Sequence, residues 1–267
     1  MLGAVIGDII GSTYEWHNVK TKNFELFPAG SRFTDDTVLS VAVADALLNR
    51  EHSGVSPERS YAMWYRQYYR RYPHAGFGQM FSQWAEADTF RIQRSYGNGG
   101  AMRAAAIGYA ADSIKELKKE IRASCYYTHH HREARRGAEA VALCVFLART
   151  GASREEIRRC AEKYCGRRLA RLNEIRADYM FDSRASRSVP PALEAFLESD
   201  SYEDAVRNAV SIGGDSDTIA CMTGGIAEAF YREIPAEIRN RAYSLLDVGL
   251  KNTIRLFARK YCPDFPR

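Results

Sequence analysis

Residues 35–49 read DDTVLSVAVADALLN: two adjacent carboxylates, then a long apolar run. Thr34, just before them, is a good helix N-cap, and acids in a first turn oppose the positive end of the helix dipole. The stretch therefore predicts a helix. The same grammar returns at residues 213–222, GGDSDTIACM, where Asp215 and Asp217 precede a second apolar run. Segments 57–71, 99–111, 129–149, 154–164, 190–198, 202–210, 217–231 and 235–259 also have helical period. The last carries Ile238, Ala242, Leu245 and Gly249 along one face. Alternating runs are almost absent, and only Tyr179–Phe181 could pass for a short extended piece. The expected class is all-α. A single domain, residues 1–267, is the simplest organisation, because acidic motifs near both ends would have to meet in one core.

Lysine plus arginine exceeds aspartate plus glutamate by 38 − 33, or +5, an excess that suits an anionic ligand but is far from a nucleic-acid footprint. The six cysteines include no CxxC pair, so they read as small hydrophobes rather than a zinc or disulfide framework. Asp8 interrupts the short apolar run of the amino terminus, which also lacks a basic region, so it does not read as a signal peptide. No apolar run approaches the roughly 20 residues of a membrane span. A cytoplasmic setting is expected. Segment 178–190, DYMFDSRASRSVP, is polar, ends in proline, and reads as an ordered excursion.

Capping explains one acid per helix. It does not explain two, since adjacent like charges repel and a buried unpaired carboxylate costs several kcal/mol or takes up a proton. Neither motif contains a lysine or arginine. Two readings stand side by side: capping with solvent exposure, or an all-oxygen set for hard divalent cations. So many carboxylates suit two ions better than one. The DDxxD pattern of prenyl-transfer enzymes is broken after Asp36, and the chain has no His-Asp dipeptide. In SYGNGGAMR, residues 95–103, the glycines would let backbone approach an anionic ligand, although taken alone a plain glycine-rich loop is the better reading.

Together these motifs resemble the ADP-ribosylglycohydrolase family, which includes the dinitrogenase-reductase-activating glycohydrolases. GAVIGDIIGSTYE, FTDDT, AGFGQMFSQW, SYGNGGAMR, Thr128-His129 and GGDSDT occur in family order over nearly the whole chain. The resemblance implies a compact, orthogonal all-α domain and two Mg²⁺ or Mn²⁺ ions. Thr34, Asp35, Asp36, Asp215, Asp217 and Thr218 match the ligand positions. Glu15 matches a flexible-loop glutamate, and with Asp35 and Asp36 it is a catalytic candidate. Ser95 and Gly97 look like phosphate contacts, and Gly99 belongs to the same loop. Phe90 and Tyr96 are similar to an adenine sandwich, and Asn98 to a loop-ordering residue. Gly76 and Gly78 match a second glycine loop, and His129 a ribose contact.

Trp16 and Asn18 receive no role. His130 and His131 read as exposed, Arg132–Arg136 and Arg158–Arg159 as solvated helix faces or a landing surface for an acidic ADP-ribosylated partner, and Trp64, Tyr65, Tyr68 and Tyr69 as core. Arg103 would either hold the glycine loop or pair with a carboxylate. The resemblance implies a metal-dependent hydrolase cleaving ADP-ribose at C1″ from a protein side chain, a polymer or a small acyl group. The intact SYGNGGAMR leans toward serine-linked or polymeric substrates. The expected partner is an ADP-ribosylated protein or small conjugate, met by a monomer without nucleic acid or membrane. The rival is a non-catalytic member that keeps the fold for binding or structure. The complete donor set argues against it.

Overall fold

The computed structural model describes residues 1–52 and 54–263. Its helices are α1 (Leu2–Gly11), α2 (Asp35–Leu48), α3 (Pro57–Arg71), α4 (Gln79–Glu86), α5 (Gly99–Met102), α6 (Ala105–Ala110), α7 (Ile114–Cys125) and α8 (Arg132–Arg149). They continue as α9 (Arg154–Cys165), α10 (Leu172–Ile175), α11 (Ala185–Leu197), α12 (Tyr202–Ile212), α13 (Ser216–Tyr231), α14 (Ala236–Ser244) and α15 (Val248–Tyr261). Among the described residues the only β-type pairings are two isolated bridges, Arg94–His129 and Gly97–Arg184. The protein is all-α, as its periodicity predicts.

Helices α1 and α13 are apolar on nearly every side and form the centre, as expected of helices with no polar face. They touch backbone to backbone because α1 carries Gly3, Gly7 and Gly11 one turn apart. A Cβ on Gly7 would lie 2.1 Å from the Ala220 carbonyl oxygen, and one on Gly11 would lie 2.5 Å from the Ser216 oxygen. Gly224 answers from α13, where a Cβ would reach the Gly3 oxygen at 2.2 Å. The stripe brings Asp8, on α1, alongside the acidic first turn of α13. α2 packs against both helices, which fixes its own first turn at the same place.

The expected segment 235–259 is two helices. Leu245 ends α14, and Asp247 caps α15 by accepting from Leu250 N–H at 2.9 Å. Segment 99–111 likewise breaks at Arg103 and Ala104 into α5 and α6. Helices α4 and α7 were not anticipated. The apolar stripe of α7 is a narrow one, Leu117, Ile121 and Cys125, amid charged neighbours.

Helix α11 starts five residues before the expected 190 and runs through Pro190 and Pro191. A proline cannot donate to the carbonyl four residues back. The two carbonyls so released find other donors: Arg167 donates to the Ser186 oxygen at 3.2 Å, and the Tyr179 hydroxyl to the Arg187 oxygen at 3.3 Å. The polar excursion therefore ends at Arg184, and Tyr179–Phe181 lie in its loop, not in a strand.

All six cysteines are free, four of them buried, in line with their reading as small hydrophobes. Tyr65, Tyr68 and Tyr69 are core residues, and Trp64 packs partly buried against them. No described helix is long and apolar enough to cross a membrane.

Candidate active site

Thr34 caps α2, and its side chain accepts from Asp36 N–H at 3.3 Å. Asp8 completes that turn from outside. Its Oδ2 accepts from Thr34 N–H at 2.9 Å and Thr37 N–H at 3.1 Å, and its Oδ1 accepts from the Thr34 hydroxyl at 2.7 Å. Asp8 is fully buried. It is the site residue that the sequence reading missed. Its signal was an acid at the centre of an apolar, glycine-spaced helix, which counted there only against a signal peptide.

The Thr218 hydroxyl donates to Asp36 Oδ2 at 3.1 Å, joining the two acidic motifs. Oxygen atoms of Asp8, Asp36 and Asp217 lie within 4.8 Å of one another, as do those of Glu15, Asp215 and Asp217. Asp36 Oδ1 is buried with no hydrogen-bond partner, an orphaned acceptor within the carboxylate cluster. A buried lone pair of that kind fits a hard cation, and the donor chemistry fits Mg²⁺ or Mn²⁺.

Burial, reinforced by neighbouring carboxylates, holds Asp36 and Asp217 well above the ordinary carboxylate range. Half-buried Asp35 is raised to about 8, first by desolvation and then by Asp8 and Asp215. Glu15, at the outer edge, is raised to about 7, chiefly by burial and then by Asp215.

Gly213 and Gly214 have φ of +74° and +72°, a left-handed turn that L side chains rarely adopt. A Cβ on Gly214 would also meet the Tyr179 ring at 2.5 Å. This turn anchors the loop of Glu15. Asn18 Oδ1 accepts from Gly214 N–H at 2.6 Å, while Nδ2 donates to the Tyr14 and Glu15 carbonyls at 2.7 and 2.8 Å. The Lys20 ammonium donates to the Ile212 and Tyr179 carbonyls, each at 2.6 Å, and ties the same loop to segment 178–184.

A cavity of about 440 Å³ opens over the acids. Thr34, Asp35, Asp36, Asp215, Asp217, Thr218 and Glu15 line it, as do Gly76, Gly78, Ser95, Gly97, Asn98, Gly99 and His129. Asn98 donates to Asp215 Oδ2 at 2.7 Å and to the Ser188 hydroxyl at 3.1 Å, so it joins the glycine loop to the acidic centre. His129 is buried and its pKa lies well below the usual value, first through desolvation, which favours a neutral ring. Its Nδ1 is 2.9 Å from the Thr128 hydroxyl.

Several expectations change. Arg103 neither bonds the glycine loop nor pairs with a carboxylate. It is fully buried, donates to the Thr128 hydroxyl at 2.8 Å and to the Ser124 oxygen at 3.3 Å, and so braces the turn that presents His129. Phe90 and Tyr96 do not line the cavity. The Arg59 and Arg66 guanidiniums lie 3.8 and 3.9 Å from the Phe90 ring centre, and Tyr96 packs toward His131. The aromatic rings on the cavity wall are Phe81, Trp16 and Phe181. His130 and His131 are half-buried rather than exposed, and His131 caps α8. Arg158 is not a solvated side chain either. It makes two hydrogen bonds to the fully buried Glu194.

A family model described as ADP-ribosylglycohydrolase matches residues 1–263. The ADP-ribosylhydrolase ARH3 of Homo sapiens is 29% identical over 86% of this chain and 84% of its own length. The ADP-ribosyl-[dinitrogen reductase] glycohydrolase of Rhodospirillum rubrum is 25% identical over 95% of this chain and 91% of its own. A solved structure titled "ADP-ribosylglycohydrolase-related protein complex" superposes with a TM-score of 0.71 over 98% of this chain and 96% of that one, at 24% identity. That last likeness speaks for the fold alone.

Proposed function

Because the chain belongs to the ADP-ribosylglycohydrolase family, we propose that its acidic cavity binds the distal ribose of an ADP-ribose conjugate and cleaves the bond at C1″. The chain is an ADP-ribosyl hydrolase, a glycosidase. One observation carries the assignment of the cavity. Asp35, Asp36, Asp215 and Asp217 line it, Asp8 is buried beside Asp36 and Asp217, and none of the five forms an ion pair with a lysine or arginine among the described residues. Such a cluster demands positive charge from elsewhere.

Thr34, Asp35, Asp36, Asp215, Asp217 and Thr218 would hold two divalent cations, Mg²⁺ or Mn²⁺. When bound, these ions would supply Lewis-acid charge for sugar hydroxyls and a water molecule. The chain's own residues do the rest. Asp8 holds the Thr34 hydroxyl and the first turn of α2 in register. Gly97 and Gly99 leave room for a diphosphate beside Ser95, and neutral His129 offers a ring nitrogen to a ribose hydroxyl. Glu15, the outermost carboxyl, gives or takes the proton as the acceptor oxygen leaves, help worth about 10²–10⁴-fold. The substrate is a serine-linked or polymeric ADP-ribose.

The test is release of free ADP-ribose from serine-, arginine-, ester- and polymer-linked substrates, with and without EDTA. Metal-dependent release from the serine or polymer linkage is the expected result. ADP-ribose binding without turnover on any linkage would overturn it.

A further inference from the structure

Trp16 and Phe181 stack across the cavity mouth, with ring centres 6.0 Å apart and planes 18° from parallel. They come from different loops, one beside Glu15 and one from segment 178–184. Both are open to solvent, Trp16 at 73% and Phe181 at 50% exposed, so they are not core residues that happen to face out. Phe181 also lines a second cavity of about 510 Å³, shared with Arg167, Arg168 and Arg187 and with the carboxylates of Glu174, Asp178 and Asp182. Arg167 and Arg187 continue into a third, of about 620 Å³, with Arg132 and Arg136. Phe181, stacked on Trp16, thus joins the acidic cavity to a groove of mixed charge that becomes arginine-rich further out.

The acceptor must leave on the Glu15 side, and the residue next to Glu15 is Trp16. Stacked rings beside guanidiniums suit a planar base joined to phosphates. In an ADP-ribose polymer the acceptor of each C1″ bond is the adenosine of the preceding unit, which carries its own diphosphate. We propose that Trp16 and Phe181, with Arg167, Arg168 and Arg187, form an acceptor-side subsite for the adenosine diphosphate of the neighbouring polymer unit. The subsite rests on the hydrolase reading above and adds its preferred substrate. Arg168 has no acidic partner within 4.0 Å among the described residues, and Arg187 has only Asp182 at 3.7 Å. In the adjoining cavity Arg132, Arg136, Arg167 and Arg187 stand against Glu133 alone, and that is where the groove keeps charge for an anion.

The experiment compares kcat/KM on ADP-ribose polymer with kcat/KM on a mono-ADP-ribosylated serine peptide, for the metal-loaded wild type, W16A/F181A and R168A/R187A. The polymer-to-peptide ratio should fall about tenfold in W16A/F181A, the scale of one lost base–aromatic stack. In R168A/R187A it should fall and lose its salt dependence. An unmoved ratio overturns the subsite. So does an equal loss on the peptide, which would assign the groove to acidic protein surface. Wild-type release from the peptide but not the polymer overturns the subsite and leaves the hydrolase reading standing. No release from either substrate overturns the subsite together with the serine-or-polymer reading on which it rests. Circular dichroism and binding of free ADP-ribose confirm that each variant is folded with its acidic cavity intact.

Discussion

The hydroxyl of Thr218 donates to Asp36 Oδ2 at 3.1 Å, across 182 positions of sequence. That bond is where the first turns of α2 and α13 become one donor set. It exists because the glycine face of α1 lets α13 approach closely enough to share a wall with α2.

Asp36→Asn and Asp217→Asn should each abolish metal-dependent ADP-ribose release while the far-ultraviolet helical signal stays near wild type. Removing one buried like charge should also raise the melting temperature of the metal-free protein. Retained turnover in either variant would take that carboxylate out of the active centre.

Asp8→Ala should weaken Mg²⁺ or Mn²⁺ binding by about 10–100-fold, the usual cost of losing a group that orients a ligand rather than ligating. Isothermal titration measures it directly. Wild-type affinity would mean that Thr34 keeps its place without Asp8.

Gly7→Ala puts a methyl 2.1 Å from the Ala220 carbonyl, so α1 and α13 must separate. The expected loss is about 1–3 kcal/mol in urea unfolding, together with weaker metal binding. Gly151→Ala, at a site with nothing within 4 Å of the added carbon, controls for a generic glycine effect, although its φ of +87° adds some strain of its own. Equal metal affinity in Gly7→Ala and wild type would separate the helix contact from the acidic centre.

The metal-free protein should lose stability as pH rises from 7 to 8. Glu15 is raised to about 7 and Asp35 to about 8, so the fold holds protons there that the unfolded chain has released. Stability must then fall through that window, the last part of a decline that these two groups begin at their unfolded values of 4.5 and 3.8 and end at about 7 and 8. His129, lowered well below 6.5, gives the opposite slope, but only on the acid side of 6.5. Saturating Mg²⁺ should flatten the decline. A melting temperature that rises or stays level in EDTA would remove the repulsion on which the metal assignment leans.

Most of the fold was legible because α2 and α13 announce themselves with acids ahead of long apolar runs, and α12 with a helical apolar period. Helix α7 hid because its buried stripe is narrow, and α11 because two prolines look like a terminus unless their released carbonyls have donors elsewhere. The motif acids were legible for a similar reason, since doubled carboxylates ahead of apolar runs need an explanation. Asp8 was harder to see. Its meaning depends on a backbone-to-backbone contact that shows in sequence only as three glycines one turn apart. The setting of Phe90 was also hidden, because Arg59 and Arg66, which lie over its ring, come from a distant stretch of the chain.

Lys20 bridges the carbonyls of Ile212 and Tyr179, so the loop bearing Glu15 and the loop bearing Phe181 share one fastener. The two walls of the entrance cannot be retuned separately. A substitution that loosens one for a bulkier leaving group also shifts the proton-handling carboxyl, so acceptor range and turnover should vary together among variants of this entrance.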